Sequence, residues 1–114
     1  MPGPITTHVL DTARGRPAAN VAVNLALATD GGFTLLGRDV TDTDGRARGL
    51  LAEDHALQPG VYRLTFDTEA YFDAQGLETF FPQAALHFRV RNPAEHYHVP
   101  LLLSPFGYST YRGS

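Results

Sequence analysis

The sequence contains no cysteine, no lysine and no tryptophan. Without cysteine, the chain cannot form disulfides, thiolate metal sites or a cysteine nucleophile. Because lysine is absent, all nine basic residues are arginines, whose planar guanidinium pairs well with planar oxyanions. No hydrophobic stretch reaches the roughly 20 residues that a membrane-spanning helix needs, so we expect no membrane partner.

Charged residues are also scarce, at 18% of the sequence against about a quarter in an average protein. The formal net charge is −3, so there is no basic field that would attract nucleic acid, and we expect no nucleic-acid partner. The low charged fraction fits a chain whose surface is partly covered by another subunit.

The length of 114 residues, of which 43% are hydrophobic, is enough for one core. It is too short for two domains of ordinary size, which predicts a single domain over residues 1–114. The first residues, Met1-Pro2-Gly3-Pro4, contain neither a basic residue nor an apolar stretch typical of a secretory signal. We therefore expect a cytoplasmic protein.

Alternation of apolar and polar residues predicts several β-strands, because side chains on a strand point alternately to its two faces. The segments are residues 21–27, 62–66, 86–90 and 96–103, with weaker candidates at residues 5–10 and 33–40. Glycine and proline punctuate the chain between them and favour turns. This succession of short strands and turns predicts an all-β sandwich.

Residues 68–76 break the strand pattern. Thr68 is a residue type that caps helix N-termini, Glu69 adds an acidic first turn, and Gly76 is a typical end signal. The segment predicts one short helix of about two turns.

Five histidines are many for a chain of this length and suggest a metal site as one hypothesis. His96 and His98 lie two apart in a predicted strand, so their imidazoles share a face and could chelate zinc or copper. A third ligand could be His8, His55 or His87. No carboxylate stands beside the pair, and two histidines at this spacing are a weak motif, so the metal site is kept as an alternative.

Most of these histidines also have an ordinary structural interpretation. His55 lies in a polar segment and His87 on the outward side of a predicted strand, so both are expected at the surface. His8 is different, because it shares a strand face with Thr6 and Leu10. An imidazole on such a face loses solvation unless it is hydrogen-bonded.

Arg46 follows the turn signal Asp44-Gly45, and locally it is most simply interpreted as an exposed arginine after a hairpin. The end of the sequence, residues 109–114, follows a strongly patterned strand and is rich in Tyr and Arg, which predicts a docked segment. The sequence shows no Ser-His-Asp spacing, phosphate-binding glycine loop or carboxylate pair. The residues alone therefore predict a β-sandwich with a His/Arg site.

Three parts of the sequence together resemble the motifs of the 5-hydroxyisourate hydrolases of the transthyretin-related family. The first is ITTHVLDT at residues 5–12, continued by GRPA at residues 15–18. The second is TDGR at residues 43–46. The third is HYHVPLLLSP at residues 96–105, leading to YRGS at residues 111–114. The resemblance extends over nearly the whole chain, and YRGS is its most specific part.

The resemblance implies a transthyretin-like sandwich of two four-stranded sheets with one short helix. It also implies a homotetramer whose active sites lie at the dimer–dimer interface. Enzymes of this family hydrolyse 5-hydroxyisourate, the unstable product of urate oxidation, by opening its ring between N1 and C6. They require no cofactor.

Carried over position by position, the resemblance implies catalytic residues His8, Arg46, His98 and Ser114, and substrate-binding residues Tyr111 and Arg112. As a hypothesis, His8 and His98 bind and deprotonate a water as a coupled pair, and the sequence leaves open which of them takes the proton. Arg46 would stabilise the oxyanion. Ser114 would act through its hydroxyl or its α-carboxylate.

Two other functional classes remain as alternatives. The same fold serves as a carrier of small hydrophobic hormones in vertebrate transthyretin, and a β-sandwich can be an accessory or adhesion domain without chemistry. The pattern of His8, Arg46, His98 and the tail resembles the hydrolases and differs from the carrier. An adhesion domain does not account for three polar motifs in one family arrangement, so the hydrolase interpretation is favoured.

Overall fold

The structure, a computed structural model, describes residues 2–114 as two β-sheets and one short helix. The strands are β1 (Ile5–Asp11), β2 (Arg16–Pro17), β3 (Ala22–Thr29), β4 (Gly32–Val40), β5 (Arg46–Ala47), β6 (Gly60–Phe66), β7 (Ala84–Val90), β8 (Tyr97–Ser104) and β9 (Gly107–Thr110), and the helix is α1 (Thr68–Asp73). Each of the six segments with alternating residues forms a strand, which confirms the all-β sandwich.

We call the first sheet sheet I. Its strands follow the order β2-β1-β8-β9, and β1 also pairs with β5. β1 and β8 run parallel, with Ile5 opposite Tyr97 and Asp11 opposite Leu103. The resemblance implied four strands here, and the fifth is the two-residue strand β5, which a tight turn folds back beside β1.

The second sheet, sheet II, has the order β4-β3-β6-β7 and is antiparallel throughout. The core lies between the two sheets, where alternate residues of their strands are fully buried. Examples are Val9 and Leu101 in sheet I and Leu25, Leu64 and Phe66 in sheet II. Burying one such side chain contributes about 1.5–3 kcal/mol. The outer faces carry most of the polar residues of the strands, together with several exposed apolar side chains of β4.

The helix α1 follows β6, as the sequence predicts, but its cap is one residue earlier than expected. Asp67 is the N-cap, and its Oδ1 accepts the N–H of Ala70 at 3.1 Å. Thr68 is inside the helix and fully buried, and its hydroxyl donates to the carbonyl of Phe81. Both residue types can cap a helix, and the tertiary contact of Thr68 decides between them. No helix within residues 2–114 has the length and apolar character to cross a bilayer.

Candidate active site

Strand pairing gathers the distant polar motifs on the outer face of sheet I. β1 pairs with β8 so that Thr6 lies opposite His98, and it pairs with β5 so that His8 lies opposite Arg46. Directly paired residues project from the same face of a sheet. The neighbouring residues of β1 point into the core, so these four side chains meet on the other side.

This face contains an open pocket of about 210 Å³. Three predicted catalytic residues, Arg46, His98 and Ser114, are among its walls. The remaining walls are Pro2, Thr6, Thr7, Arg48 and His96. Segments that lie far apart in the sequence thus form one site lined by guanidinium and imidazole groups.

His98 is half-buried in this pocket and is held from both sides. On one side its Nδ1 lies 2.8 Å from the hydroxyl of Thr6. On the other side its carbonyl accepts the N–H of Gly113 at 2.8 Å. Burial is the main factor that lowers the pKa of His98 from its usual value, and the positive charge of Arg46 and nearby basic groups lowers it further. The ring is therefore neutral near pH 7, as a proton acceptor must be.

His8 lies beside Arg46 in the sheet but outside the walls of the pocket. Its Nε2 is 2.8 Å from the carbonyl oxygen of Asp44. A carbonyl only accepts hydrogen bonds, so Nε2 of His8 must carry the proton and donate it. This bond holds the imidazole against the turn before Arg46. It is the hydrogen bond that we expected an imidazole on this strand face to need.

Arg46 reaches the pocket from a tightly bonded turn. Oδ1 of Asp42 accepts the backbone N–H groups of Asp44 and Arg46, each at 2.9 Å. The bond from Arg46 is the main factor that lowers the pKa of the Asp42 carboxyl. Gly45 has a φ of 77°, which favours glycine, and its carbonyl accepts the N–H of Val9 at 2.7 Å. The turn thus attaches Arg46 to β1 in a fixed position.

The tail is docked, as predicted, because it continues the pairing of β9 with β8. After β9, Gly113 pairs with His98 in the antiparallel sense, and Ser114 reaches the pocket wall. A Cβ on Gly113 would lie 2.6 Å from Cδ2 of His98 and 3.3 Å from Cγ of Pro100. Only glycine allows the tail to lie this close to the imidazole.

Tyr111 and Arg112, expected to bind the substrate, lie outside the walls of this pocket. They line a separate cavity of about 300 Å³ between β7 and the tail. Arg112 donates to Oε1 of Glu95 at 2.9 Å and stacks on the ring of Tyr97 at 4.6 Å. Tyr111 is 56% exposed. Their role in substrate binding stays a prediction.

In the described part of the chain, the other histidines do not form a metal site with His96, which directly precedes β8, and His98, which lies in it. His55 and His87 are exposed, and the ring of His87 lies against Phe33. Within residues 2–114 no three side chains of the His, Asp or Glu type are placed to hold a metal ion. His96 and His98 share a hydrogen-bond partner, the hydroxyl of Thr6.

Thr6 and Arg48 are among the pocket-wall residues that the sequence interpretation missed. Thr6 shares a strand face with His8, which was a usable signal, but its contact with His98 requires the parallel pairing of β1 with β8. Arg48 lies two residues beyond Arg46, and it forms an ion pair with Asp42 at 3.3 Å. It adds a second guanidinium to the pocket.

Comparison with known proteins is consistent with this site. The model of the HIUase/Transthyretin family matches residues 5–113. A 5-hydroxyisourate hydrolase of Salmonella dublin is 48% identical over 110 residues, covering 96% of this chain and 80% of the relative. Sea bream transthyretin in complex with thyroxine superposes with a TM-score of 0.87 at 38% identity, covering 96% of this chain and 94% of that one. The 5-hydroxyisourate hydrolase of Klebsiella pneumoniae gives 0.83 at 38% identity, covering 96% and 97%. The chain therefore belongs to the HIUase/Transthyretin family.

Proposed function

We propose that this protein hydrolyses 5-hydroxyisourate in urate degradation, opening the ring between N1 and C6 without a cofactor. The observation that carries the proposal is the convergence of His98, Arg46 and Ser114 in one pocket. The names of the Salmonella and Klebsiella relatives support the same substrate.

The chemistry of the pocket favours hydrolysis over carriage of an apolar hormone. Two arginines and two histidines line it, together with the hydroxyl groups of Thr6 and Ser114. A carrier of an apolar ligand needs mostly apolar walls around a few polar groups. An oxygen-rich ring such as 5-hydroxyisourate, with several carbonyl groups, fits guanidinium donors much better.

His98 is the base that activates water in this proposal. Its neutral form is favoured by burial and by the nearby cations. His8 is less suited to the task, because its Nε2 already donates to the carbonyl of Asp44. It orients the turn that carries Arg46. His98 takes a proton from water, the hydroxide attacks C6, and the bond between C6 and N1 breaks as protonated His98 returns that proton to N1.

Arg46 stabilises the negative charge that develops on the C6 oxygen during the attack. The turn that holds it is fixed by the hydrogen bonds of Asp42, so its guanidinium is positioned before the reaction begins. Removing such a donor typically lowers the rate by about 10²–10³-fold. Ser114 closes one side of the pocket with its polar groups, and Tyr111 and Arg112 serve as outer contacts for the substrate.

We further propose a homotetramer in which a second pair of subunits covers the outer face of sheet I. The pocket is open on that face, and the low charged fraction of the sequence fits a covered surface. Light scattering coupled to size-exclusion chromatography measures the assembly directly. A monomer with full activity would contradict sites shared between dimers. The cytoplasmic location and the absence of nucleic-acid and membrane partners stay predictions.

The test of the function is a decay assay. 5-Hydroxyisourate is generated from urate by a urate oxidase, and its near-ultraviolet absorbance is followed with and without this protein. We expect decay that accelerates in proportion to the protein added, and loss of this acceleration in His98→Asn. His55→Asn is the matched control, because His55 is exposed in the loop between β5 and β6 and should keep the full rate. Decay equal to the blank, from folded protein, would remove the proposed function.

A further inference from the structure

We infer that Thr6 is a positioning residue that, together with His96, keeps the proton of His98 on Nδ1 and leaves Nε2 as a lone pair facing the pocket. The inference deepens the proposed function and rests on it for its consequence for the rate. The arrangement of the three side chains is a property of the structure and can be tested separately.

The geometry places Thr6 between the two histidines. Its side chain is 5% exposed and lies opposite His98 in the parallel pairing of β1 and β8. Its Oγ1 is 2.8 Å from Nδ1 of His98 and 3.3 Å from Nε2 of His96. One hydroxyl therefore contacts a half-buried imidazole of the pocket and an exposed imidazole at its rim.

The orientation of the His98 ring follows from its two neighbours. Nδ1 faces Thr6 on β1, and Cδ2 faces Gly113 of the tail, where an added Cβ would be only 2.6 Å away. These two atoms flank the ring carbon that carries the side chain. The opposite edge, with Nε2, consequently points away from the sheet and into the pocket. In the neutral ring, a proton on Nδ1 makes Nε2 a hydrogen-bond acceptor for a water in the pocket, and a proton on Nε2 makes it a donor.

Counting protons leaves two arrangements for this group. A threonine hydroxyl has one proton and two lone pairs, so it could also accept from both histidines. In that case the proton of the buried Thr6 hydroxyl would have no acceptor within residues 2–114, so Thr6 donates to one histidine and accepts from the other. In the first arrangement, His98 Nδ1–H donates to Thr6, and the Thr6 hydroxyl donates to Nε2 of His96. In the second, His96 Nε2–H donates to Thr6, and Thr6 donates to Nδ1 of His98. The first leaves Nε2 of His98 unprotonated, and the second makes it a donor.

The charges of the pocket select the first arrangement. Arg46 and Arg48 line the same pocket, and both place positive charge near His98. A lone pair on Nε2 is stabilised by this potential, whereas an N–H bond pointing into it is not. The only hydrogen bond of the His96 ring within residues 2–114 is the one to Thr6, so no other bond there fixes its tautomer. The preference of His98 therefore determines the direction of both hydrogen bonds.

The test compares Thr6→Val, which keeps the shape and removes the hydroxyl, with Thr6→Ser, which keeps the hydroxyl. The first measurement is the ¹⁵N spectrum of the His98 imidazole at pH 7.5. We expect the Nδ1–H tautomer in the wild type and in Thr6→Ser, and a mixture of tautomers in Thr6→Val. For 5-hydroxyisourate, we expect kcat to fall by about 10–10²-fold in Thr6→Val with KM nearly unchanged, because the loss affects proton transfer. Thr6→Ser should stay within about threefold of the wild type.

The outcomes separate the inference from the proposed function. If the wild type does not accelerate the decay of 5-hydroxyisourate, the function fails, and the ¹⁵N spectra still test the role of Thr6. If the wild type is active and Thr6→Val keeps both the rate and the tautomer, the inference is overturned. It is also overturned if Thr6→Ser is as slow as Thr6→Val, because that result indicates a packing role. In His96→Ala we expect more of the Nε2–H form, and an unchanged tautomer would overturn the part assigned to His96.

Discussion

Gly113 lies against the imidazole of His98 so closely that a Cβ built on it would be 2.6 Å from His98 Cδ2. The backbone N–H of Gly113 donates to the His98 carbonyl at 2.8 Å, so the tail cannot move away without losing this bond. The tail thus limits where the His98 ring can lie. This contact makes glycine necessary at position 113 for reasons of space, since its φ is not in the positive range.

We expect Gly113→Ala to lower kcat/KM for 5-hydroxyisourate by about 10²-fold, because a displacement of about 1 Å at a catalytic group has an effect of this size. The melting temperature should change little, since the tail can lift without opening the core. Gly107→Ala is the matched control, because a Cβ there has its nearest neighbour at 3.8 Å. Equal rates for Gly113→Ala and the wild type would contradict the role of this contact.

The turn before Arg46 gives a second prediction. A Cβ on Gly45 would lie 2.4 Å from the carbonyl oxygen of Val9, and the residue has a positive φ of 77°. Gly15 has a similar φ of 68° but open space around it. Gly15→Ala should cost about 1–2 kcal/mol of unfolding free energy, from the backbone conformation alone.

Gly45→Ala should cost clearly more than Gly15→Ala, because the turn must also move away from β1. It should lower kcat/KM as well, since Arg46 moves with the turn. Chemical denaturation gives the two free energies, and the decay assay gives the rates. Equal destabilisation by the two substitutions would show that the contact with Val9 is unimportant.

The lowered pKa of His98 predicts a pH dependence of stability. Above its ordinary value near 6.5, His98 is neutral in both the folded and the unfolded chain. As the pH falls from there towards the lowered value, the unfolded chain takes up a proton that the folded chain does not, so stability is lost over this interval. We expect the melting temperature of the wild type to fall more between pH 7.5 and 5.5 than that of His98→Asn. The same fall in both proteins would argue against the lowered pKa.

The buried carboxylate of Asp11 gives a prediction about stability alone. Its Oδ2 accepts the hydroxyl of Tyr71 at 2.6 Å, while the carboxylate itself is 1% exposed. Tyr71→Phe should lower the free energy of unfolding by about 1.5–3 kcal/mol, the usual contribution of a hydrogen bond to a charged group. The activity should be unchanged, because Tyr71 lies away from the pocket of His98.

Tyr108→Phe is the control for Tyr71→Phe, since the Tyr108 hydroxyl has no hydrogen-bond partner within the described residues 2–114. We expect it to change the stability by less than about 0.5 kcal/mol. Chemical denaturation measures both variants. A similar loss in the two would show that the hydrogen bond to Asp11 is not the cause.

The sequence was sufficient to predict the positions of the long strands but not those of the short ones. Alternation over five or more residues identified β3, β6, β7 and β8, because each has one face in the core. β2 and β5 have two residues each, and β9 has four, which is too short for a period to be visible. Their pairing depends on turns and on neighbouring strands rather than on their own composition.

Of the six site residues that the resemblance implied, three line the pocket, and the contacts between them were not predictable from the sequence. The resemblance supplied Arg46, His98 and Ser114, and all three lie in one pocket. The hydrogen bond between Thr6 and His98 joins residues 92 positions apart, and no local pattern contains that pairing. Tyr111 and Arg112 line a separate cavity because they precede Gly113, the residue that pairs with His98, and the tail reaches the pocket at Ser114.

The parallel pairing of β1 with β8 has a consequence for how the molecule is made. During synthesis, β1 leaves the ribosome first, and its partner β8 follows about 90 residues later. Contacts between residues so far apart in sequence form slowly, because closing a long loop costs conformational entropy. The paired strands of sheet II lie closer together in the sequence, the most distant pair being β3 and β6, so this sheet can form earlier. A nascent or C-terminally clipped chain can therefore contain much of the sandwich and lack all catalytic competence. Recovery of activity during refolding should accordingly follow the slowest structural phase.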